Sequence, residues 1–120
     1  DIDTLKDGLS WWYDWSPGFL SDGVLEASMA HGLEYVPMIW GEGDLADERL
    51  TALDGIGKTS PYLLGFNEPN YGEQANLTPK DAADLWPLVQ AEAEKYDMEL
   101  VSPAVNFCFG DCVEEVLFYR

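Results

Sequence analysis

The chain has 120 residues, 47% of them apolar, with five tryptophans and six tyrosines, a composition that can bury one core but not two. Its 23 acids against six Lys and Arg give a formal charge of −17, which argues against nucleic acid or an anionic membrane as partner, because phosphate binding takes a basic footprint. No apolar run approaches the ~20 residues of a membrane span, and the dispersed acids read as the surface of an extracellular or salt-exposed protein.

Residues 9–13, Leu-Ser-Trp-Trp-Tyr, form the first expected strand and run into a turn at Ser16-Pro17-Gly18. Trp11 and Trp12 must point to opposite faces of that strand, so at least one of them packs inside. A helix capped by Ser21 or Asp22 follows through Met29 and closes at Gly32, with His31 near its C-terminal dipole. The second strand is expected over 34–40 and ends in Gly41-Glu42-Gly43, a loop in which Glu42 and Asp44 read as solvated. Residues 46–56 make a weaker helix, interrupted by Gly55 and Gly57. The third strand, 62–66, delivers Asn67-Glu68-Pro69. A carboxylate at the end of an apolar strand is not placed there for solubility, which marks Glu68 for chemistry.

The next helix is the clearest. Thr78 caps it, Pro79 takes the first helical position and Asp81 the first turn, while Ala82, Trp86, Val89, Ala93 and Tyr96 share one face. Pro87 should kink it. A fourth strand is expected over 99–103, and Val-Glu-Glu-Val-Leu-Phe-Tyr-Arg at 113–120 begins another helix. Cys108 and Cys112 could close a small disulfide loop, but two thiols and a distant His31 are too few for zinc, so neither metal nor cofactor is expected. Asn76-Leu77-Thr78 fits a glycosylation sequon, although Pro79 and the cap role of Thr78 compete with it.

Strand alternating with helix argues for an α/β fold with parallel strands. The strand starts average about 30 residues apart, against roughly 31 per unit in a (β/α)₈ barrel. The expectation is a partial (β/α)₈ TIM barrel of about four parallel β/α units, half of a full barrel. An open doubly wound sheet would show the same rhythm, but no glycine-rich phosphate loop is present. In such folds function collects at the C-terminal strand ends, and here those ends carry Trp12, Tyr13, Asp14 and Trp15, then Trp40 and Glu42, then Asn67, Glu68, Asn70 and Tyr71, then Ser102, Ala104 and Asn106. Aromatic faces suit the apolar faces of sugar rings, and amides and acids suit their hydroxyls.

The segments SWWYDWSP (10–17), YVPMIWG (35–41), LLGFNEPN (63–70) with Gln74, and VSPAV (101–105) together resemble glycoside hydrolase family 128, the Asl-type endo-β-1,3-glucanases. The resemblance implies a secreted or cell-wall-associated hydrolase of carbohydrate metabolism that retains anomeric configuration. It implies Glu68 as general acid/base and Asn67 as the holder of the sugar 2-hydroxyl. Trp40, Trp12 and Trp15 would line glucan subsites, and Asn70 and Tyr71, from the same strand end as Glu68, complete the candidate substrate-binding set. A retaining enzyme also needs a nucleophilic carboxylate about 5–5.5 Å from the first. In the family it lies on a later strand, and no acid after Glu68 replaces it, so residues 1–120 alone are expected to be inactive. Open sheet edges would favour self-association. Two alternatives remain open: a non-catalytic β-glucan-binding protein, or a clan relative acting on β-1,4-glucan or mannan.

Overall fold

A computed structural model describes residues 2–18, 23–56 and 59–107. The expected caps Ser21 and Asp22, the breaker Gly57, both cysteines and the helix over 113–120 lie outside the described residues. The chain is an α/β protein whose strands pair in parallel. Strand β1 (Trp11–Trp12) pairs with β2 (Glu34–Tyr35), Trp11 opposite Glu34 and Trp12 opposite Tyr35. Strand β3 (Tyr62–Leu64) pairs with β4 (Glu99–Val101), Leu63 opposite Leu100.

The strands are shorter than the apolar runs that announce them, and two prolines explain much of this. Residues 34, 36 and 38 donate toward the β1 side, so the N–H that Pro37 lacks is one that would face β3, and the continuation of β2 pairs with β3 only as a bridge from Met38 to Leu64. Pro37 still offers its carbonyl, which accepts from Leu64 N at 2.9 Å, and Ile39 N donates to Leu64 O at 3.0 Å. These bonds lay the continuation of β2 beside β3. Pro103 interrupts β4 in the same way, before a bridge from Ala104 to Asn67.

Helix α1 (Ile2–Leu5), not anticipated from the sequence, precedes β1; its Asp3 accepts from His31 Nε2 at 2.9 Å. Helix α2 (Val24–Ala30) ends at His31 and Gly32, the glycine at φ 69°. The weak helix over 46–56 is two short ones, α3 (Asp47–Leu50) and α4 (Ala52–Ile56), separated by Thr51, whose hydroxyl bonds back to Glu48 O. Gly55 is tolerated inside α4. Helix α5 (Pro79–Lys95) runs through Pro87. Its cap is as expected, with Thr78 Oγ1 accepting from Asp81 N at 3.1 Å. Ala82, Val89 and Ala93 are buried on its inner face, with Trp86 and Tyr96 packed beside them.

Alternation along the strands separates two faces. Tyr35 and Leu63 are fully buried on the face covered by the helices, and Phe66, beyond the end of β3, is buried edge-on to Trp86. The other face is open, with Trp11 53%, Tyr62 43% and Val101 39% exposed. A hollow of about 340 Å³ lies over it, lined by Trp11, Glu34, Val36, Tyr62, Leu64 and Val101. A second hollow, about 200 Å³, is walled by Met38, Phe66, Asn67 and Ala104 toward the C-terminal strand ends.

Candidate functional site

Glu68 sits just beyond β3, half-buried, with its backbone in the left-handed region at φ 41°. That conformation costs a non-glycine residue about 1 kcal/mol or more, so the surrounding loop must hold it. The loop does so by turning back on the strand end: Tyr71 N donates to Glu68 O at 3.0 Å, Ala75 N to Asn67 O at 3.2 Å, and Leu77 N to Pro69 O at 2.8 Å. The Glu68 carboxylate accepts from Asn106 Nδ2 at 3.0 Å through Oε1. Asn106 comes from the segment after β4, and Asn70 fixes it there. Asn70 Nδ2 donates to Asn106 O at 2.9 Å, and Asn106 N donates to Asn70 Oδ1 at 2.8 Å. Asn67, next to Glu68, donates from Nδ2 to Gln74 Oε1 at 2.7 Å.

Of the expected site residues, Asn67 and Trp40 meet across adjacent strand ends, where Asn67 N donates to Trp40 O at 2.9 Å, and Glu68 follows Asn67. Trp40 is half-buried. Its own N–H donates to Asp44 Oδ2 at 2.9 Å, and Arg49 donates to Asp44 Oδ1 from Nε at 3.0 Å and Nη2 at 2.8 Å. The solvated Asp44 expected from a glycine-rich loop is thus corrected: it is buried and paired, and it secures the turn that carries Trp40. Glu42 is exposed, as expected. Tyr71 is half-buried, with its hydroxyl toward Glu73 Oε2 at 3.3 Å. Asn70 is 0% exposed, and its amide is matched to the backbone of Asn106.

Trp12 lies on the helix-packed face, edge-on to Tyr35 with centroids 4.9 Å apart, its indole N–H donating to Ser28 Oγ at 3.1 Å. Trp11, Tyr13 and Trp15 instead form a row on the other side, with centroids 6.1 Å and 4.9 Å apart. Trp15 is exposed and, like Glu68, left-handed at φ 59°. Asp14 is tied down: its Oδ1 accepts from Tyr35 Oη at 2.7 Å and Ser16 Oγ at 2.9 Å.

Burial pushes the Tyr35 phenol well above its ordinary 10.0; the bond to Ser16 opposes this, while the bond and charge of Asp14 reinforce it. The unfolded phenol therefore ionises first, and Tyr35 contributes stability that is lost as pH rises past 10.0. Tyr35→Phe is expected to cost about 1–2 kcal/mol near neutrality and to flatten that alkaline decline. Denaturant titrations of both proteins across alkaline pH check this, and parallel declines would discharge Tyr35 from the role.

Among the described residues, no group of three His, Cys, Asp or Glu could hold a metal ion, and no helix is long and apolar enough to cross a membrane.

A family profile for the glycosyl hydrolase catalytic core matches residues 1–117. The chain belongs to that family. This catalytic-core chain is also similar to solved structures. An endo-β-1,3-glucanase of family 128, subgroup II, from Sorangium cellulosum is 41% identical over 99% of the chain, with a TM-score of 0.82. A subgroup I endo-β-1,3-glucanase from Amycolatopsis mediterranei, in complex with laminaritriose, is 32% identical over 86% of the chain, at a TM-score of 0.63. A subgroup VII oligosaccharide-binding protein from Trichoderma gamsii is 27% identical over 99% of the chain, at a TM-score of 0.62. The chain spans 50%, 38% and 46% of those structures, respectively. No curated protein matches it.

Two parts of this catalytic-core chain's site escape sequence reasoning. Asn106 was visible as a residue at a strand end, but its bond to Glu68 joins positions 38 apart in the chain. Asp44 had the sequence setting of a solvated loop acid, and only the return of Arg49 from α3 pairs it. No local signal announces either contact.

Proposed function

We propose that residues 1–120 are the N-terminal half of the (β/α)₈ catalytic domain of a secreted, retaining endo-β-1,3-glucanase. The observation that carries this reading is Glu68. It stands at the end of a parallel strand, one carboxylate oxygen held by Asn106, in a chain 41% identical to an endo-β-1,3-glucanase over 99% of its length. Glu68 is the acid/base: it protonates the glycosidic oxygen and then takes a proton from the water that releases the product. Asn67, one residue earlier on the same strand end, binds the sugar 2-hydroxyl, a contact that tightens as the oxocarbenium-like transition state forms. Trp40 and the row of Trp11, Tyr13 and Trp15 supply stacking surfaces for successive glucose rings.

The apolar open face supports the barrel reading. An inward face with Trp11 and Tyr62 about half exposed is too apolar to stand in water, and further strands of a closed barrel would bury it. The nucleophile belongs to that remainder. The test is laminarin hydrolysis by the full-length protein, followed by NMR of the newly formed reducing ends. Release of the β-anomer first is expected, and first release of the α-anomer or absence of cleavage overturns the proposal. Residues 1–120 alone should release no sugar.

A second reading, glucan binding without cleavage, is favoured by the similarity to an oligosaccharide-binding protein. Calorimetry with laminari-oligosaccharides would then show binding by a full-length protein that produces no reducing ends.

A further inference from the structure

We infer that Asn70 and Asn106 form a positioning relay for the Glu68 carboxylate, so that Asn70 serves proton transfer without touching sugar. The inference rests on the acid/base reading of Glu68. Three observations carry it. Asn70 is 0% exposed, and burying an amide so completely is unfavourable unless its donor and acceptor are both matched. They are matched to two atoms of one residue: Asn70 Nδ2 to Asn106 O at 2.9 Å, and Asn106 N to Asn70 Oδ1 at 2.8 Å. Two antiparallel bonds between one side chain and one peptide segment fix orientation as well as distance. Asn106, so fixed, has its own side chain directed back to the same loop, where Nδ2 donates to Glu68 Oε1 at 3.0 Å.

The chain of contacts therefore begins and ends in one short segment, Glu68-Pro69-Asn70, and passes through the segment after β4. Glu68 needs such help. Its left-handed backbone follows from the turn, and a free carboxylate there would sample several rotamers. A donor on Oε1 selects one and leaves Oε2 to meet the leaving oxygen. Proton transfer demands heavy atoms within about 3 Å of each other, so a carboxylate that wanders loses the acid contribution while sugar binding persists. A purely structural clamp would tie the two loops together without favouring any step of the reaction.

The discriminating experiment uses the full-length protein and two substrates: laminarin, whose sugar leaving group must be protonated, and a dinitrophenyl β-laminaritrioside, whose leaving group needs no proton. Asn106→Ala keeps both backbone bonds to Asn70 and removes only the donor to Glu68; Asn70→Ala removes the clamp. Both variants are expected to lose about 10-fold or more in kcat/KM on laminarin and less than about 3-fold on the activated glycoside. Glu68→Ala, measured beside them, should show the same selectivity in larger degree. If Glu68→Ala loses both substrates equally, the acid/base reading itself fails. If it discriminates but Asn106→Ala cleaves laminarin like the parent, or loses both substrates alike, the relay is overturned. Laminarin cleavage at the parent rate by a folded Asn70→Ala would overturn the part assigned to Asn70; should that variant fold poorly, Asn70→Ser, which keeps a polar side chain, is read in its place by the same criterion.

Discussion

Glu68→Gln in the full-length protein is expected to reduce turnover of laminarin by about 10²- to 10⁴-fold, the usual contribution of a positioned proton donor. KM should change little. The amide has the shape of the carboxylate, and its oxygen can still accept from Asn106 Nδ2, so the contact at 3.0 Å survives. The φ of 41° is a property of the turn and suits Gln no worse than Glu, so the variant should unfold within about 0.5 kcal/mol of the parent. What it loses is the ionisable proton of a carboxyl group. An amide neither donates a proton to the departing sugar nor accepts one from water, so both halves of a double displacement slow. Turnover assays on laminarin with a denaturation curve for each protein make the measurement. Parent-like turnover would remove Glu68 from proton transfer, and loss of both activity and fold would show that its carboxylate is needed for the loop instead.

The parts of this site that sequence revealed are those written in neighbouring residues. The cap at Thr78, the proline at position 79 and the apolar spacing of α5 act within a few residues of one another, and all are found in place. The rise of Glu68 at the mouth of β3 follows from an apolar run that a proline ends. Strand lengths were not legible in the same way, because a strand is counted by its partners, and Pro37 and Pro103 each withdraw a donor that would face β3. The choice between Trp11 and Trp12 shows a different limit. Alternation states that they diverge, but not which one meets α2; Ser28 on that helix, receiving the Trp12 indole N–H, decides it. The clamp at Asn70 was out of reach, because in sequence a buried Asn and a sugar-binding Asn after a strand are the same residue. Only the arrival of Asn106 from 36 positions away distinguishes them.

Gly65→Val is expected to destabilise the fold by about 3 kcal/mol, near the upper end for overpacking a tight site. Gly65 is buried between β3 and the Asn-Glu-Pro turn, and its N–H donates to Val101 O at 3.0 Å in the pairing with β4. A Cβ built there would come within 2.8 Å and 2.9 Å of the Trp86 ring and 3.0 Å of Val101 O. The backbone oxygen cannot retreat without breaking the pairing, so the indole must. Trp86 is held in turn by Phe66, edge-on at 5.9 Å between centroids, and by its place on α5. The conflict therefore passes either into the helix or into the strand end that carries Asn67 and Glu68. Gly65→Ala should show a milder form of the effect, about 1–2 kcal/mol. Trp86→Leu, which withdraws the ring, gives a cycle that separates the two routes. If the ring is the obstacle, Gly65→Ala costs less in the Trp86→Leu background than in the parent, as chemical denaturation would record. Additive effects would mean that the contact with Val101 O, rather than the indole, demands the glycine. In either case the residue without a side chain in LLGFNEPN is what lets α5 close over the strand, and the placement of Glu68 depends on that closure.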